Sequence, residues 1–213
     1  MAVFDLDGTL THHDTLLPYV WGYLLRHPWR LPRLLGVLPA AVRFLLGRRD
    51  PGALKSALIR ATLGGVKRPE LNAWTVHFIE RLRRQGLSKD ALARLERHRV
   101  GGDFLVLLSA STDLYVPELA RVLEFDEAIC TGVEWQGDTL IGRLSTPNRR
   151  GEEKVRCLER LRAQHPRRLI AAYANAASDI PHLRVADRPL LVNGGRSARA
   201  AAAAYGIPQD IWR

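Results

Sequence analysis

Apolar residues recur along the chain in two rhythms, and the change between them divides it. Short runs that are apolar at nearly every position lie at Ala2 to Phe4, Phe104 to Leu108, Ala128 to Thr131, Arg168 to Tyr173 and Pro189 to Val192. Strands covered on both faces read this way, as in a parallel sheet. Between them the spacing is helical, over roughly Lys89 to Arg97, Tyr115 to Leu123, Glu152 to Ala163 and Ser197 to Ala204. The alternation predicts an α/β fold, a doubly wound Rossmann-like parallel sheet with helices on both faces. Gly132 to Leu144 interrupts it with two short alternating runs around Gln136-Gly137-Asp138, the pattern of a β-hairpin.

Residues 13–88 hold no convincing strand. Leu58, Ile59, Thr62 and Leu63, then Trp74, Phe78 and Leu82, recur at helical spacing. An all-helical insertion after the first strand follows, with residues 1–12 and 89–213 as the α/β core and 13–88 as a cap. Ligands of open α/β sheets bind outside the strands' carboxyl ends, where such an insertion would cover them. Pro28, Pro32 and Pro39 should divide its first part into short helices.

Composition narrows the class. With 213 residues, 46% of them hydrophobic and 25% charged, the chain holds one domain plus a modest insertion, and disordered or fibrous architectures are excluded. Its longest uncharged stretch, Thr15 to Leu25, is shorter than the roughly 18 residues of a spanning helix. Met1-Ala-Val-Phe-Asp has neither a basic n-region nor an apolar h-region, so no leader peptide and a cytoplasmic location are expected. Cys130 and Cys157 are then expected as free thiols. The net charge of +10, with only four of 32 basic residues being lysines, favours an anionic partner: nucleic acid, acidic lipid or a phosphorylated metabolite.

The chemistry begins at Phe4-Asp5-Leu6-Asp7-Gly8-Thr9, where an apolar strand ends in two carboxylates. Alternation turns Asp5 and Asp7 to one side, and two carboxylates so close call for a hard cation such as Mg²⁺. As a bare pattern it also fits an acidic turn. Leu108-Ser109-Ala110-Ser111 places a hydroxyl after the second strand, near the start of the next helix, where free N–H groups bind anions. Lys154 opens a helix behind the loop Pro147 to Gly151, and Asn175 and Asp179 follow the fourth strand as oxygen donors. Taken singly, these also read as a helix cap, a solvated lysine and a helix-start acid.

In this order the four segments resemble the motifs of the haloacid dehalogenase superfamily, in its phosphoserine-phosphatase-like branch, over essentially the whole chain. The resemblance implies a Mg²⁺-dependent phosphomonoester hydrolase. In it Asp5 is the nucleophile that becomes an aspartyl-phosphate, and Asp7 the acid and base. Ser109, Ala110 and Lys154 would hold the phosphoryl oxygens, and Asp5, Asp7, Asn175 and Asp179 the metal. The family's fourth motif usually reads Tyr-Gly-Asp-Ser-x-x-Asp. Ala174, Asn175 and Ala176 depart from it, and the neutral Asn175 should bind the metal more weakly than a carboxylate.

Substrate choice rests on the cap. From Thr15 to Arg49 there is no acidic residue, while Arg26, Arg30, Arg33, Arg43, Arg48 and Arg49 punctuate Trp21, Trp29 and many leucines. This composition suits the headgroup region of an anionic bilayer, and the segment resembles the cap of the bacterial phosphatidylglycerophosphate phosphatases. The expected substrate is a phospholipid headgroup phosphate, with the protein lying peripherally on the inner membrane face. Alternatives are a soluble metabolite such as phosphoserine, or a catalytically weak basic relative that binds lipid or nucleic acid. Asp14, where the cap begins, would receive an ammonium or hydroxyl of the substrate or cap a helix. His12 and His13 read as hinge or surface residues.

Overall fold

The computed structural model describes residues 1–47 and 50–213. After β1 (Ala2–Phe4) and a tight turn over Leu6–Leu10, the chain enters the insertion. This comprises α1 (Leu16–Arg26), a 3-10 stretch (Pro28–Val37), α2 (Leu38–Leu45), α3 (Pro51–Thr62) and α4 (Arg68–Gln85). Then come α5 (Lys89–Val100), β2 (Leu105–Thr112), α6 (Val116–Val122), β3 (Glu127–Thr131) and the hairpin β4 (Val133–Gln136) and β5 (Thr139–Leu144). The chain finishes with α7 (Glu152–Gln164), β6 (Ala171–Ala174), α8 (Ile180–Arg184), β7 (Arg188–Val192), α9 (Arg196–Ala204) and β8 (Gln209–Asp210).

Among the described residues, one sheet runs β3-β2-β1-β6-β7-β8, parallel at every pairing. Strand alternation sends Ala2 and Phe4 into a core shared with α1, α4, α5 and α6, and Val3 into a second core with α7. The strand order reverses beside β1, between β2 and β6. Such a switch point opens a crevice at the strands' carboxyl ends. Phe4 stacks on Tyr173 at 4.6 Å between ring centres, and the Asp5 N–H donates to the Tyr173 carbonyl at 2.9 Å. The residue leaving β1 is thereby fixed at the crevice.

The insertion closes at its base through an antiparallel bridge between Thr11 and Leu87. Pro28 opens the 3-10 stretch, Pro32 lies within it, and Pro39 stands in the first turn of α2, dividing the segment as expected. The hairpin is joined to the insertion. The N–H of Leu140 donates to the Val66 carbonyl at 3.0 Å and that of Arg68 to the Asp138 carbonyl at 2.8 Å, so one extended piece of the insertion adds to the start of β5 and the turn before it. β5 also lies close against α3. A Cβ on Gly142, whose φ is +82°, would come within 2.8 Å of the Arg60 backbone. Only glycine meets both demands.

Arg48 and Arg49 of the arginine-rich stretch lie outside the described residues. Arg30 donates to the carbonyls of Thr62 and Gly64 and Arg33 to that of Gly64, so both tie the 3-10 stretch to the carbonyl end of α3. Among the described residues no helix is long and apolar enough to cross a membrane.

Candidate active site

Asp5, Asp7, Asp14, Ala110, Lys154, Asn175 and Asp179, drawn from distant parts of the sequence, line one cavity of about 160 Å³ at the crevice. Lys154 is its electrostatic centre. Its Nζ lies 2.6 Å from Asp5 Oδ1 and 2.9 Å from Asp179 Oδ1, and all three side chains are buried. Burial holds the Asp5 carboxyl above the ordinary carboxylate range, against the pull of Lys154 and with the push of Asp179 and Asp7. One ammonium shared by two carboxylates leaves the group short of a positive charge. Burial also opposes the charge of Asp179, but Lys154 and His182 keep its carboxyl low.

Asp7 leaves the extended path of β1 in the tight turn and is held from three directions. Thr15 gives it its N–H at 2.7 Å and its hydroxyl at 2.6 Å, both on Oδ1, while the Ser111 hydroxyl donates to Oδ2 at 2.6 Å. Tyr115 backs Thr15, with 2.9 Å between the hydroxyl oxygens. Burial raises the Asp7 carboxyl above its usual range, and these donors moderate the rise. A buried acid with a raised pKa is suited to proton transfer.

Two features, at Ser109 and Lys55, differ from the sequence reading, while Asp14 stands where both of its expected roles are open to it. β2 runs on to Thr112, so Ser109 sits within the strand and no helix begins beside it. It is fully buried, its Oγ accepts from the Ser111 N–H at 2.9 Å, and Ala110 and Ser111 face the cavity instead. Asp14 accepts from the Leu17 N–H at 3.1 Å, as a helix-start residue does, yet also borders the cavity. Lys55, from α3, reaches the cavity by donating to the Ala110 carbonyl and to Asn148 Oδ1, the latter at 2.8 Å. Burial pushes its amine down to about 8, against the carboxylates of Asp7 and Asp14. Sequence reading missed Lys55 and Ser111. The second hydroxyl of the Ser109-Ala110-Ser111 repeat was visible, whereas Lys55 gains meaning only once α3 is placed.

Asn175 borders the cavity against the turn after β1. A Cβ on Gly8, at φ +79°, would overlap it at 2.0 Å from Nδ2. Among the described residues no three His, Cys, Asp or Glu side chains form a metal cluster. The oxygen donors grouped around Lys154 and Gly8 are the carboxylates of Asp5 and Asp179 and the Asn175 amide. An all-oxygen set of this kind fits a hard divalent cation, held less firmly than by a third carboxylate.

The chain matches the haloacid dehalogenase-like hydrolase family over residues 2–184. It is 32% identical over 193 residues to Protein CicA of Caulobacter vibrioides, across 88% of this chain and 83% of that protein. Its fold is similar to that of a Bordetella pertussis Tohama I protein of unknown function, with a TM-score of 0.82, 23% identity and coverage of 99% and 97% of the two chains. A phosphoserine phosphatase holding a phospho-aspartyl intermediate analogue is similar at a TM-score of 0.69 and 14% identity, over 99% of this chain and 91% of the other. With the family match spanning most of the chain and the carboxylates at the sheet's switch point, this protein belongs to the haloacid dehalogenase-like hydrolases.

Proposed function

We propose that the protein is a Mg²⁺-dependent phosphomonoester hydrolase that works through an aspartyl-phosphate on Asp5. The observation that carries this reading is the buried Asp5, Lys154 and Asp179 group beside a separately held Asp7. Asp5 attacks phosphorus with one carboxylate oxygen as the ester oxygen departs, and Asp7, protonated, gives that oxygen its proton. Asp7 then accepts a proton from the water that attacks the acyl-phosphate. Lys154, with Lys55 at the cavity's border, offsets the charge of the phosphoryl oxygens. Asp5, the Asp7 carbonyl, Asn175 and Asp179 would hold Mg²⁺, which supplies further charge stabilisation when bound. Ser109, buried behind Ser111, acts by fixing the strand end.

The substrate we propose is a phosphate on a phospholipid headgroup such as phosphatidylglycerophosphate, with the insertion resting on an anionic membrane surface. Supporting it, Trp29, Leu35, Leu38, Leu45 and Leu46 are all more than half exposed beside Arg26, Arg33 and Arg43, with no acidic residue between Thr15 and Gly47. A soluble metabolite such as phosphoserine is the second reading, favoured by the small cavity volume and the charged pair Asp14 and Lys55 at its border. Phosphate release with Mg²⁺ across soluble phosphomonoesters and phosphatidylglycerophosphate in mixed micelles tests both. Preference for the lipid supports the first reading, preference for phosphoserine the second, and no release from any ester overturns the hydrolase.

A further inference from the structure

A second, larger cavity, about 850 Å³, lies between α1 and α4 and reaches the 3-10 stretch at Leu34. It falls in the size range of ligand pockets. Its walls include Val20, Trp21, Leu25, Trp74, Phe78 and Leu82, while polar side chains line it at His12, His13 and Asp14 after the turn from β1 and at Arg81 and Gln85 at the end of α4. Asp14 borders this cavity and the catalytic one alike. Along the outer wall Leu17, Trp21 and Leu25 repeat every four residues, and they are 61%, 51% and 61% exposed. Apolar side chains left in water in a row beside an apolar cavity suit a binding surface.

We propose that this cavity takes the aliphatic chain of an amphiphilic phosphomonoester whose phosphate sits at Asp5. The inference rests on the hydrolase reading and adds to it a binding site for the aliphatic part of the substrate. Three observations select this occupant. Most of the wall is apolar, as an alkyl chain requires and a sugar or peptide does not. The polar end adjoins the carboxylate site through Asp14, so a chain lying here places its head at the reacting end. The far end reaches the 3-10 stretch, where exposed Trp29 and Leu35 offer the chain an apolar approach.

The test uses n-alkyl phosphates from ethyl to octyl below their aggregation concentrations, with Mg²⁺ and the full chain. The rise in kcat/KM expected is roughly three- to fourfold per methylene until the chain fills the groove, as burial of successive CH₂ groups requires. Leu25→Arg, at an exposed position, should flatten that rise and leave ethyl phosphate turnover unchanged. A flat length dependence in the parent, with ethyl phosphate still hydrolysed, overturns the groove and leaves the hydrolase standing. Trp21 and Trp74 supply a readout independent of turnover. Their fluorescence should report octylphosphonate binding at least a hundredfold tighter than ethylphosphonate, and equal affinities would overturn the proposal even in a chain that hydrolyses nothing.

Discussion

Lys154 Nζ lies 2.6 Å from Asp5 Oδ1, though the residues stand 149 positions apart in sequence, and both are buried at the floor of the cavity. Removing the ammonium leaves Asp5 and Asp179 facing each other without a counter-charge. Breaking a buried pair in this way costs about 3–5 kcal/mol. Lys154→Met should therefore melt well below the parent and lose phosphate release by more than a hundredfold. Lys154→Arg keeps the charge in a larger planar head and should fall between. Thermal melts and steady-state rates on the same preparations check this, and a Met variant equal to the parent in both would contradict it.

Lys55 gives the site a pH dependence of its own. Its amine, pushed down to about 8 by burial, carries a positive charge below that pH and loses it above. Substrate phosphate is then held less well, so kcat/KM should decline as pH rises through about 8. Lys55→Arg stays protonated throughout and should move the decline to higher pH. Profiles of the two proteins that coincide on the alkaline side would remove Lys55 from phosphate binding.

Much of this site is legible in the sequence. Asp5 and Asp7 follow β1, Lys154 stands in the first turn of α7 and Asp179 just before α8, and strand ends and helix starts carry strong local signals. Less legible was what depends on how elements approach one another. The extent of β2 was cut short because Ser109 to Thr112 lack the apolar run of Leu105 to Leu108. β8 is two polar residues with no pattern to read. Arg30 and Arg33 were expected at a lipid surface, yet their hydrogen bonds go to carbonyls at the end of α3, a use of charge that composition cannot separate from membrane binding.

Those two arginines determine how membrane binding should be tested. Arg30→Gln and Arg33→Gln would disturb the insertion itself, so the informative change is Arg43→Gln with Leu45→Ser, at exposed positions of α2. The parent should sediment with anionic vesicles and not with neutral ones. Added salt should weaken binding, since screening acts over about 8 Å at physiological ionic strength. The double variant should bind roughly tenfold more weakly, about one exposed cation plus lost apolar contact. Equal sedimentation with neutral vesicles, or no change in the variant, would argue for the soluble substrate.

Asn175 marks where the chain departs from its family's usual fourth motif. Asn175→Asp restores a carboxylate of nearly the same shape against Gly8, so it should lower the Mg²⁺ concentration for half-maximal activity by about tenfold. Calorimetric titration of Mg²⁺ into both proteins gives the same comparison without substrate. An unchanged affinity would show that Asn175 is not a ligand.

Covalent chemistry at Asp5 is what the hydrolase reading stands on. Acid quenching during turnover of a radiolabelled phosphomonoester should leave label on the protein, in the peptide containing Asp5, with the alkali lability of an acyl-phosphate. Asp5→Asn should take up no label and release no phosphate. Label on another residue, or an Asp5→Asn variant that keeps most of the parent's turnover, would contradict the account.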